Sequence, residues 1–283
     1  MDVVTALSQL GGEASPSALR ALASKSAVRT AIEQRQVLRI RQGVIALPQL
    51  HAAKAAARDA NGAVSHLSAA LLHGWAVKKE PGMPHVTVPR NRRLSPARRE
   101  GMTLHWGVLT PEELEGRLTS PERTVVDCAR LLPFDEALSV ADSALRSGLV
   151  NAAELRRTAG ESSRIGRALV EAVVTAADGR ADNPFESCLR AIALQINGLH
   201  VEPQVRIGSH RVDLADPRLR LVLEADSREF HSKAEDFRKD VRRYTALVRD
   251  GWIVLRFLWD DVMNHPDEVE ATIADVVRRL QQG

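Results

Sequence analysis

The sequence RVDLADPRLRLVLEADSREFH spans residues 211–231 and sets the organisation of the C-terminal third of the chain. Apolar and polar residues alternate along 219–226, and this period of two predicts a strand with Glu224 and Asp226 on the same face. The run 211–215 is short and apolar, and an Asp-Pro pair between the two runs is a turn signal. The stretch therefore predicts a β-hairpin.

The predicted hairpin brings Asp213 beside Glu224, and carboxylates gathered at one point repel each other unless a cation joins them. Mg²⁺ or Mn²⁺ suits such oxygen ligands and binds phosphate oxygens in its remaining positions. A bound ion lowers the pKa of its water and offsets charge on a phosphodiester. His231 is a candidate acceptor for the proton of that water, because imidazole titrates near neutrality. The pattern predicts a metal site of Asp213, Glu224 and Asp226, with solvated charges on a sheet edge as the alternative.

The order of motifs from residue 183 onward resembles the very-short-patch-repair (Vsr)-like branch of the PD-(D/E)XK endonucleases. The resemblance rests on a helix carrying Glu186, the segments RVD, VLEAD and FH, a basic helix with Asp240 and Arg243, and the strand sequence GWIVLRF. It implies a restriction-endonuclease-like α/β domain with a mixed central sheet, and hydrolysis of DNA that depends on Mg²⁺ or Mn²⁺.

The resemblance also implies a role for each acidic residue of the site. Asp213 and Glu224 would bind metal, Asp226 stands where the family has a lysine, and His231 would be the general base. Without that lysine, activity would depend on the histidine. Glu186 would be an outer carboxylate, but it also follows an Asn-Pro helix start at the third helical position, where a capping glutamate belongs. Both roles are open for Glu186.

The composition predicts a folded protein of two or three domains, since 44% of the 283 residues are hydrophobic and 27% are charged. Residues 1–182 hold 24 Lys and Arg against 19 acids, net +5, whereas 183–283 hold 15 against 17, net −2. Cys128 and Cys188 are far apart and indicate neither a disulfide framework nor a zinc motif. Long apolar runs are absent, so we expect a cytoplasmic protein without membrane association.

Residues 1–50 predict three helices and then a basic hairpin, the pattern of a winged helix-turn-helix DNA-binding domain. The third helix would enter a major groove while the hairpin contacts phosphates. The alternative is a small helical cap with solvated arginines. The candidate DNA contacts are Arg29 and Arg35 of the helical part and Arg39 and Arg41 of the hairpin.

Residues 1–180 resemble AbiEi-type antitoxins of abortive-infection (type IV toxin–antitoxin) systems. The resemblance rests on four segments: VLRIRQGVIALP at 37–48, VSHLSAALLHGW at 64–75, PHVTVPRNRR at 84–93 and TSPERTVVDCAR at 119–130. It implies a mixed α/β middle domain over 51–180 and a nucleotidyltransferase-type toxin as partner.

Two further arginine groups are candidate phosphate contacts. Arg90, Arg92 and Arg93 lie in a stretch of ten residues with five arginines and no acid, either on phosphates or in solvent. Arg242 and Arg243 of the basic helix would clamp a phosphate or pair with neighbouring acids. The histidines show none of the usual metal-binding spacings, so for these four we predict ordinary packing and hydrogen bonding: His66, His73, His85 and His105.

Apolar spacing in the helix 235–249 predicts that Phe237, Val241, Tyr244 and Val248 form its buried face. The apolar run 252–259 predicts a strand covered on both faces.

These patterns together predict an α/β (α+β overall) protein with domains 1–50, 51–180 and 181–283. The predicted function is DNA binding with metal-dependent phosphodiester hydrolysis, serving phage defence or DNA processing. The alternative is a non-catalytic AbiEi-type antitoxin that acts as a transcriptional repressor.

Overall fold

The computed structural model describes residues 2–10, 12–41, 43–226 and 234–282 of the chain. This part contains fifteen helices and three small sheets, so the protein is mixed α/β as predicted. None of its helices combines the length and the apolar character that crossing a membrane requires.

The N-terminal part consists of three helices and a three-stranded antiparallel sheet. Serine side chains start two of the helices: Ser15 Oγ accepts the Ala18 N–H and Ser24 Oγ accepts the Ala27 N–H, each at 3.2 Å. The predicted order of three helices and a hairpin is observed, together with a short third strand that the sequence pattern does not reveal. The elements are α1 (Val3–Gln9), β1 (Glu13–Ala14), α2 (Pro16–Arg20), α3 (Lys25–Glu33), β2 (Leu38–Arg41) and β3 (Val44–Ala46).

The middle part joins a three-stranded sheet to a helical layer. Its central strand β5 is antiparallel to β4 and parallel to β6. Trp75 is buried against the helices, and its indole N–H donates to Ser147 Oγ at 3.1 Å. The elements are α4 (Pro48–Ala60), β4 (Ala63–Val64), α5 (His66–Leu72), β5 (His85–Pro89), α6 (Pro96–Arg99), β6 (Thr103–Gly107), α7 (Pro111–Gly116), α8 (Pro121–Leu131), α9 (Phe134–Ser147), α10 (Ala152–Glu161) and α11 (Arg167–Ala176).

The C-terminal part is built on a four-stranded mixed sheet. The strand order is β10-β9-β8-β7, with β9 and β10 parallel and the other pairs antiparallel. Strands β8 and β9 form the predicted hairpin, and Leu214 lies opposite Leu223. The elements are α12 (Pro184–Ala193), β7 (Glu202–Ile207), β8 (His210–Asp216), β9 (Leu221–Asp226), α13 (Ala234–Arg249), β10 (Ile253–Leu258), α14 (Trp259–Asn264) and α15 (Pro266–Gln282).

Two burial predictions for this part are wrong. Val241 and Val248 of α13 are 47% and 60% exposed, whereas Leu247 is 1% exposed and packs on the sheet. Tyr244 packs with Leu247 as predicted, and the side chain of Phe237 lies outside the described residues. The helix therefore lies on the sheet with a face rotated from the predicted one. Strand β10 is not covered on both faces, because Ile253 and Leu258 at its two ends are exposed and only Phe257 of the strand is buried.

A buried ion pair joins the middle and C-terminal parts. Arg190 of α12 donates to both carboxylate oxygens of Asp142 on α9, at 2.7 and 2.8 Å, and also to the Ala176 carbonyl at 2.6 Å. The Asp178 N–H donates to the same carboxylate at 2.8 Å. The boundary predicted at residues 180 and 181 thus lies beside a shared buried contact, and it stays a prediction.

Candidate metal and nucleic-acid site

Two carboxylates meet where β8 and β9 pair. Because Leu214 lies opposite Leu223, the residue before Leu214 and the residue after Leu223 are neighbours across the strands. Asp213 and Glu224 occupy these positions, and the charge of Asp213 acts on the carboxyl group of Glu224. Asp213 Oδ2 also accepts the Ala225 N–H at 2.9 Å. The hairpin therefore places this pair together, as the strand pattern predicts.

The buried surroundings of the pair disfavour the ionised form of both carboxyl groups. Burial raises the pKa of both carboxyl groups, and the charge of Asp213 raises that of Glu224 further. Glu224 is 3% exposed, and no hydrogen bond from the described residues reaches its buried Oε1. Arg243 Nη1 lies 3.3 Å from that oxygen, as an ion pair without hydrogen-bond geometry. Two neighbouring buried carboxylates, one of which has an oxygen without a hydrogen bond, are a set of ligands that suits a divalent cation.

Glu186 adds a third carboxylate from α12. The Asn183 side chain caps this helix by accepting the Glu186 N–H at 3.0 Å. The Glu186 carboxylate accepts the Asp182 N–H and the Asn183 side-chain amide, each at 2.8 Å. Burial raises the pKa of Glu186 to about 7, and the nearby charge of Asp213 contributes to the rise. Glu186 thus serves the helix start and lies within the electrostatic reach of Asp213, so both predicted roles remain open.

Gln204 of β7 is a site residue that the sequence does not reveal. Its side-chain amide donates to Glu186 at 2.7 Å, while its own buried Oε1 receives no hydrogen bond from the described residues. The strand pairing places Gln204 opposite Asp213, between the pairs on either side. Its φ of 57° lies in the left-handed region, which is unusual for a residue with a side chain and is often found at functional sites.

The carboxylate of Asp226 pairs with an arginine of the neighbouring strand, Arg256 of β10. The guanidinium of Arg256 lies 4.1 Å from the centre of the Tyr244 ring, and that of Arg243 lies 4.7 Å from it. Within the described ranges, Asp213, Glu224 and Asp226 do not form a trio of ligand atoms inside 4.8 Å. A metal-binding role for Asp226 stays a prediction.

His231, the predicted general base, lies outside the described residues. Its role therefore stays a prediction from the motif order.

The N-terminal arginines border a common hollow. A cavity of about 560 Å³ between α2, α3 and the hairpin is lined by Arg29 and Arg39, and by two cations that the sequence analysis did not single out, Arg20 and Lys25. Arg29 is exposed and lies 3.8 Å from Glu33. Arg35 and Arg39 are exposed, and Arg41 lies in β2 with a side chain outside the described set.

The other candidate phosphate contacts are not among the residues that line this hollow. Arg90 and Arg93 are exposed, whereas Arg92 is half-buried and its carbonyl accepts the Trp106 indole N–H at 3.2 Å. On α13, Arg242 is exposed and Arg243 is half-buried beside Glu224. Only Arg243 of this group adjoins the carboxylate pair.

Two proteins of Mycobacterium tuberculosis are similar to this chain over more than half of its length. Uncharacterized protein Rv2248 of Mycobacterium tuberculosis (strain ATCC 25618 / H37Rv) is 34% identical over 171 residues, and uncharacterized protein MT2308 of strain CDC 1551 / Oshkosh gives the same match. The match covers 58% of this chain and spans 63% of the length of these relatives.

The family model of the AbiEi antitoxin C-terminal domain matches residues 63–172. The restriction endonuclease-like family model REase_MTES_1575 matches residues 185–277. The chain is therefore similar to AbiEi antitoxins in its middle part and to restriction endonuclease-like proteins in its C-terminal part, the division that the sequence motifs predict.

Proposed function

We propose that this chain is a DNA-binding protein whose C-terminal part hydrolyses phosphodiester bonds with Mg²⁺ or Mn²⁺. The observation that carries the proposal is the pair Asp213 and Glu224, which face each other across β8 and β9, with the buried Glu224 retaining a carboxylate oxygen without a hydrogen bond from the described residues. The restriction endonuclease-like match over 185–277 supports a dependence on divalent metal in general. The choice of Mg²⁺ or Mn²⁺ follows from the all-oxygen donor set.

The residues of the site divide into metal-holding and substrate-holding groups. Asp213 and Glu224 would hold the ion, and Asp226 would join them on release from Arg256. The bound ion would supply a water of lowered pKa and offset charge on the phosphate. Gln204 orients Glu186 through the hydrogen bond of 2.7 Å, and Glu186 stands next to this group as a carboxylate of raised pKa. His231, by the motif resemblance, would accept the proton of the attacking water.

Two arginines are placed to hold a substrate phosphate. Arg243 and Arg256 both lie against the Tyr244 ring, and each faces an acid of the site. When a metal neutralises those acids, the guanidinium groups become available to phosphate oxygens, which they bind through paired N–H donors.

The N-terminal part would deliver the DNA as a winged helix-turn-helix. Its order of helices and strands fits that fold, and the cations among the lining residues of the hollow would contact phosphates. Arg29, Arg35, Arg39 and Arg41 would contact DNA there, with Arg90, Arg92, Arg93 and Arg242 as further contacts along the chain.

Nicking of supercoiled plasmid tests the hydrolytic proposal. Purified wild type with Mg²⁺ or Mn²⁺ should nick the plasmid, and EDTA should stop it. Asp213→Asn should reduce the rate by about 100-fold or more, because it removes a charge that holds the ion. Asp250→Asn, which changes an exposed acid of the same part of the chain, should keep the wild-type rate.

A second candidate function is a non-catalytic antitoxin that represses transcription and binds a nucleotidyltransferase-type toxin. One structural observation favours it: Arg256 pairs with Asp226 and Arg243 lies 3.3 Å from Glu224, so cations of the chain already offset part of the acidic charge. The AbiEi match over 63–172 also supports it. A DNA mobility shift without any cut product, equal in wild type and Asp213→Asn, would favour this function over hydrolysis.

A further inference from the structure

Three histidines of the middle part converge away from the carboxylate pair. One ring nitrogen from each of His66, His85 and His105 lies within 4.8 Å of the others. His66 begins α5, His85 begins β5, and His105 lies in the parallel neighbour β6. The proposed hydrolysis and DNA binding use none of these residues.

Two rings of the trio approach each other through their nitrogens, and the third ring stacks on one of them. His85 Nδ1 lies 3.0 Å from His105 Nε2, and the His66 ring stacks on His105 with a centroid distance of 3.7 Å. Ser65 Oγ lies 2.9 Å from His66 Nδ1, which leaves His66 Nε2 for a ligand. A serine on the far nitrogen is the kind of partner that fixes the orientation of a metal-binding imidazole.

The spacing suits a tetrahedral ion. Zn²⁺ binds histidine nitrogens at about 2.0–2.1 Å, so tetrahedral ligand nitrogens stand about 3.3 Å apart. His85 Nδ1 and His105 Nε2 are already near this separation, and the stacked His66 ring would have to turn its nitrogen toward them to complete the site. His85 and His105 are half-buried, so solvent reaches the trio for a fourth ligand.

The charge state of the trio also suits a metal. Burial lowers the pKa of His66 to about 2 and that of His105 to about 4, and it lowers the pKa of His85 as well. The rings are therefore neutral at pH 7, which is the form that binds metal ions. The charges of Arg123 and Arg130 also act on His66. Arg123 pairs with Glu113 at 2.9 Å and Asp127 at 3.1 Å, and Arg130 lies 3.7 Å from Asp127, so these charges are balanced locally.

Backbone hydrogen bonds hold the start of α5 against β5, although His66 at that start has a strained conformation. His66 has a φ of 51°, in the left-handed region that side chains rarely adopt. The Ser65 N–H donates to the His85 carbonyl at 3.0 Å, and the His85 N–H donates to Ser68 Oγ at 3.0 Å. These bonds fix the start of α5 against β5, so the strained residue is held with its ring beside the other two.

We propose that His66, His85 and His105 form a binding site for a divalent transition-metal ion, with Zn²⁺ as the expected occupant. All-nitrogen ligands select such an ion over Mg²⁺, whereas the carboxylates of β8 and β9 select Mg²⁺ or Mn²⁺. The bound ion would tie the start of α5 to β5 and β6. Packing and hydrogen bonding of neutral rings alone is the competing explanation.

A titration with Co²⁺ separates the two explanations, because tetrahedral Co²⁺ absorbs strongly in the visible range. We would use the full chain carrying Asp213→Asn and Glu224→Gln, so that the carboxylate pair does not bind the probe. About one equivalent of Co²⁺ should give tetrahedral bands that Zn²⁺ removes. His105→Gln and His85→Gln, both at half-exposed positions, should each weaken binding by more than about tenfold.

His73→Gln is the matched control, since His73 is a half-buried histidine directly after α5 whose Nε2 lies 3.0 Å from the Thr119 carbonyl. It should bind Co²⁺ as the parent does. Circular dichroism of each metal-free variant checks that it folds, and a variant that does not fold is replaced by the other trio variant. Absence of tetrahedral bands in the parent, or equal binding by His105→Gln, His85→Gln and the parent, would overturn the proposal.

Discussion

The carboxylate pair of β8 and β9 and the histidine trio of α5, β5 and β6 differ in how far apart in the chain their members lie. Asp213 and Glu224 come from one hairpin, so the strand period and one turn signal are enough to predict that they meet. The trio unites an α-helix start and two parallel strands, and its members are spread over residues 66–105. Clusters within a hairpin are accessible to sequence patterns, whereas clusters across parallel strands depend on tertiary structure.

The two clusters also differ in charge. The carboxylates are buried like charges whose pKa values are raised, whereas the imidazoles are buried neutral rings whose pKa values are lowered. Burial disfavours the charged form in both clusters. The carboxyl groups must therefore lose protons before they bind a metal ion, whereas the neutral imidazoles bind one at neutral pH without losing a proton. The pH at which each takes up a cation should therefore differ.

The largest effect is expected at the buried ion pair of Arg190 and Asp142, which joins the C-terminal part, with the carboxylate pair, to the middle part, with the histidine trio. Asp142→Ala would leave the Arg190 guanidinium buried without its counter-ion, at a cost of about 3–5 kcal/mol in the free energy of unfolding. Urea denaturation followed by tryptophan fluorescence measures it. Arg157→Ala, in the exposed ion pair Arg157–Glu161, is the control and should change stability by less than about 1 kcal/mol. Equal effects of the two substitutions would mean that the buried pair does not couple the two parts.

Local patterns predicted much of the fold. The hairpin predicted from the strand period and the Asp-Pro pair is observed as β8 and β9, and the predicted order of three helices and a hairpin is observed at the N-terminus. The restriction endonuclease-like and AbiEi-like division is confirmed by the family matches. These features depend on caps, turn residues and periodicity, which act over a few residues.

The features that the sequence did not predict depend on neighbours distant in the chain. Strand β7 contains a proline and a residue of positive φ, so its period of two is broken where Gln204 enters the site. The rotated face of α13 and the edge position of β10 follow from the strand order of the sheet. A run of apolar residues predicts that a strand packs in the core, but it does not predict which of the strand's residues are covered.

A pH series would sharpen the difference between the clusters. Raised carboxyl pKa values mean that the folded metal-free chain binds more protons than the unfolded chain. The stability from this source is present below the ordinary carboxyl pKa and is lost as pH rises through the raised values, which for Glu186 is about 7. Asp213→Asn removes one of the repelling charges, so in EDTA at pH 8 it should be more stable than wild type by about 0.5–2 kcal/mol.

That difference should shrink toward pH 5, because a proton shared by the pair relieves the repulsion, and Mg²⁺ should reverse it at pH 8 by stabilising wild type alone. Urea midpoints at both pH values measure the effect, and Asp250→Asn should show no such pH dependence. A metal-free Asp213→Asn variant that is less stable than wild type at pH 8 would show that the carboxylate pair is not repulsive.

The smallest effect is expected at Gln204, where hydrogen bonding and backbone strain oppose each other. Gln204→Ala removes the amide that donates to Glu186, at a cost of about 0.5–1.5 kcal/mol, and keeps the strained backbone. Gln204→Gly removes the same amide but adopts a φ of 57° freely, which should recover about 1 kcal/mol. Both should raise the pKa of Glu186 and move the pH profile of plasmid nicking to higher pH. A profile that moves in the alanine variant alone would assign the shift to the backbone rather than to the lost amide.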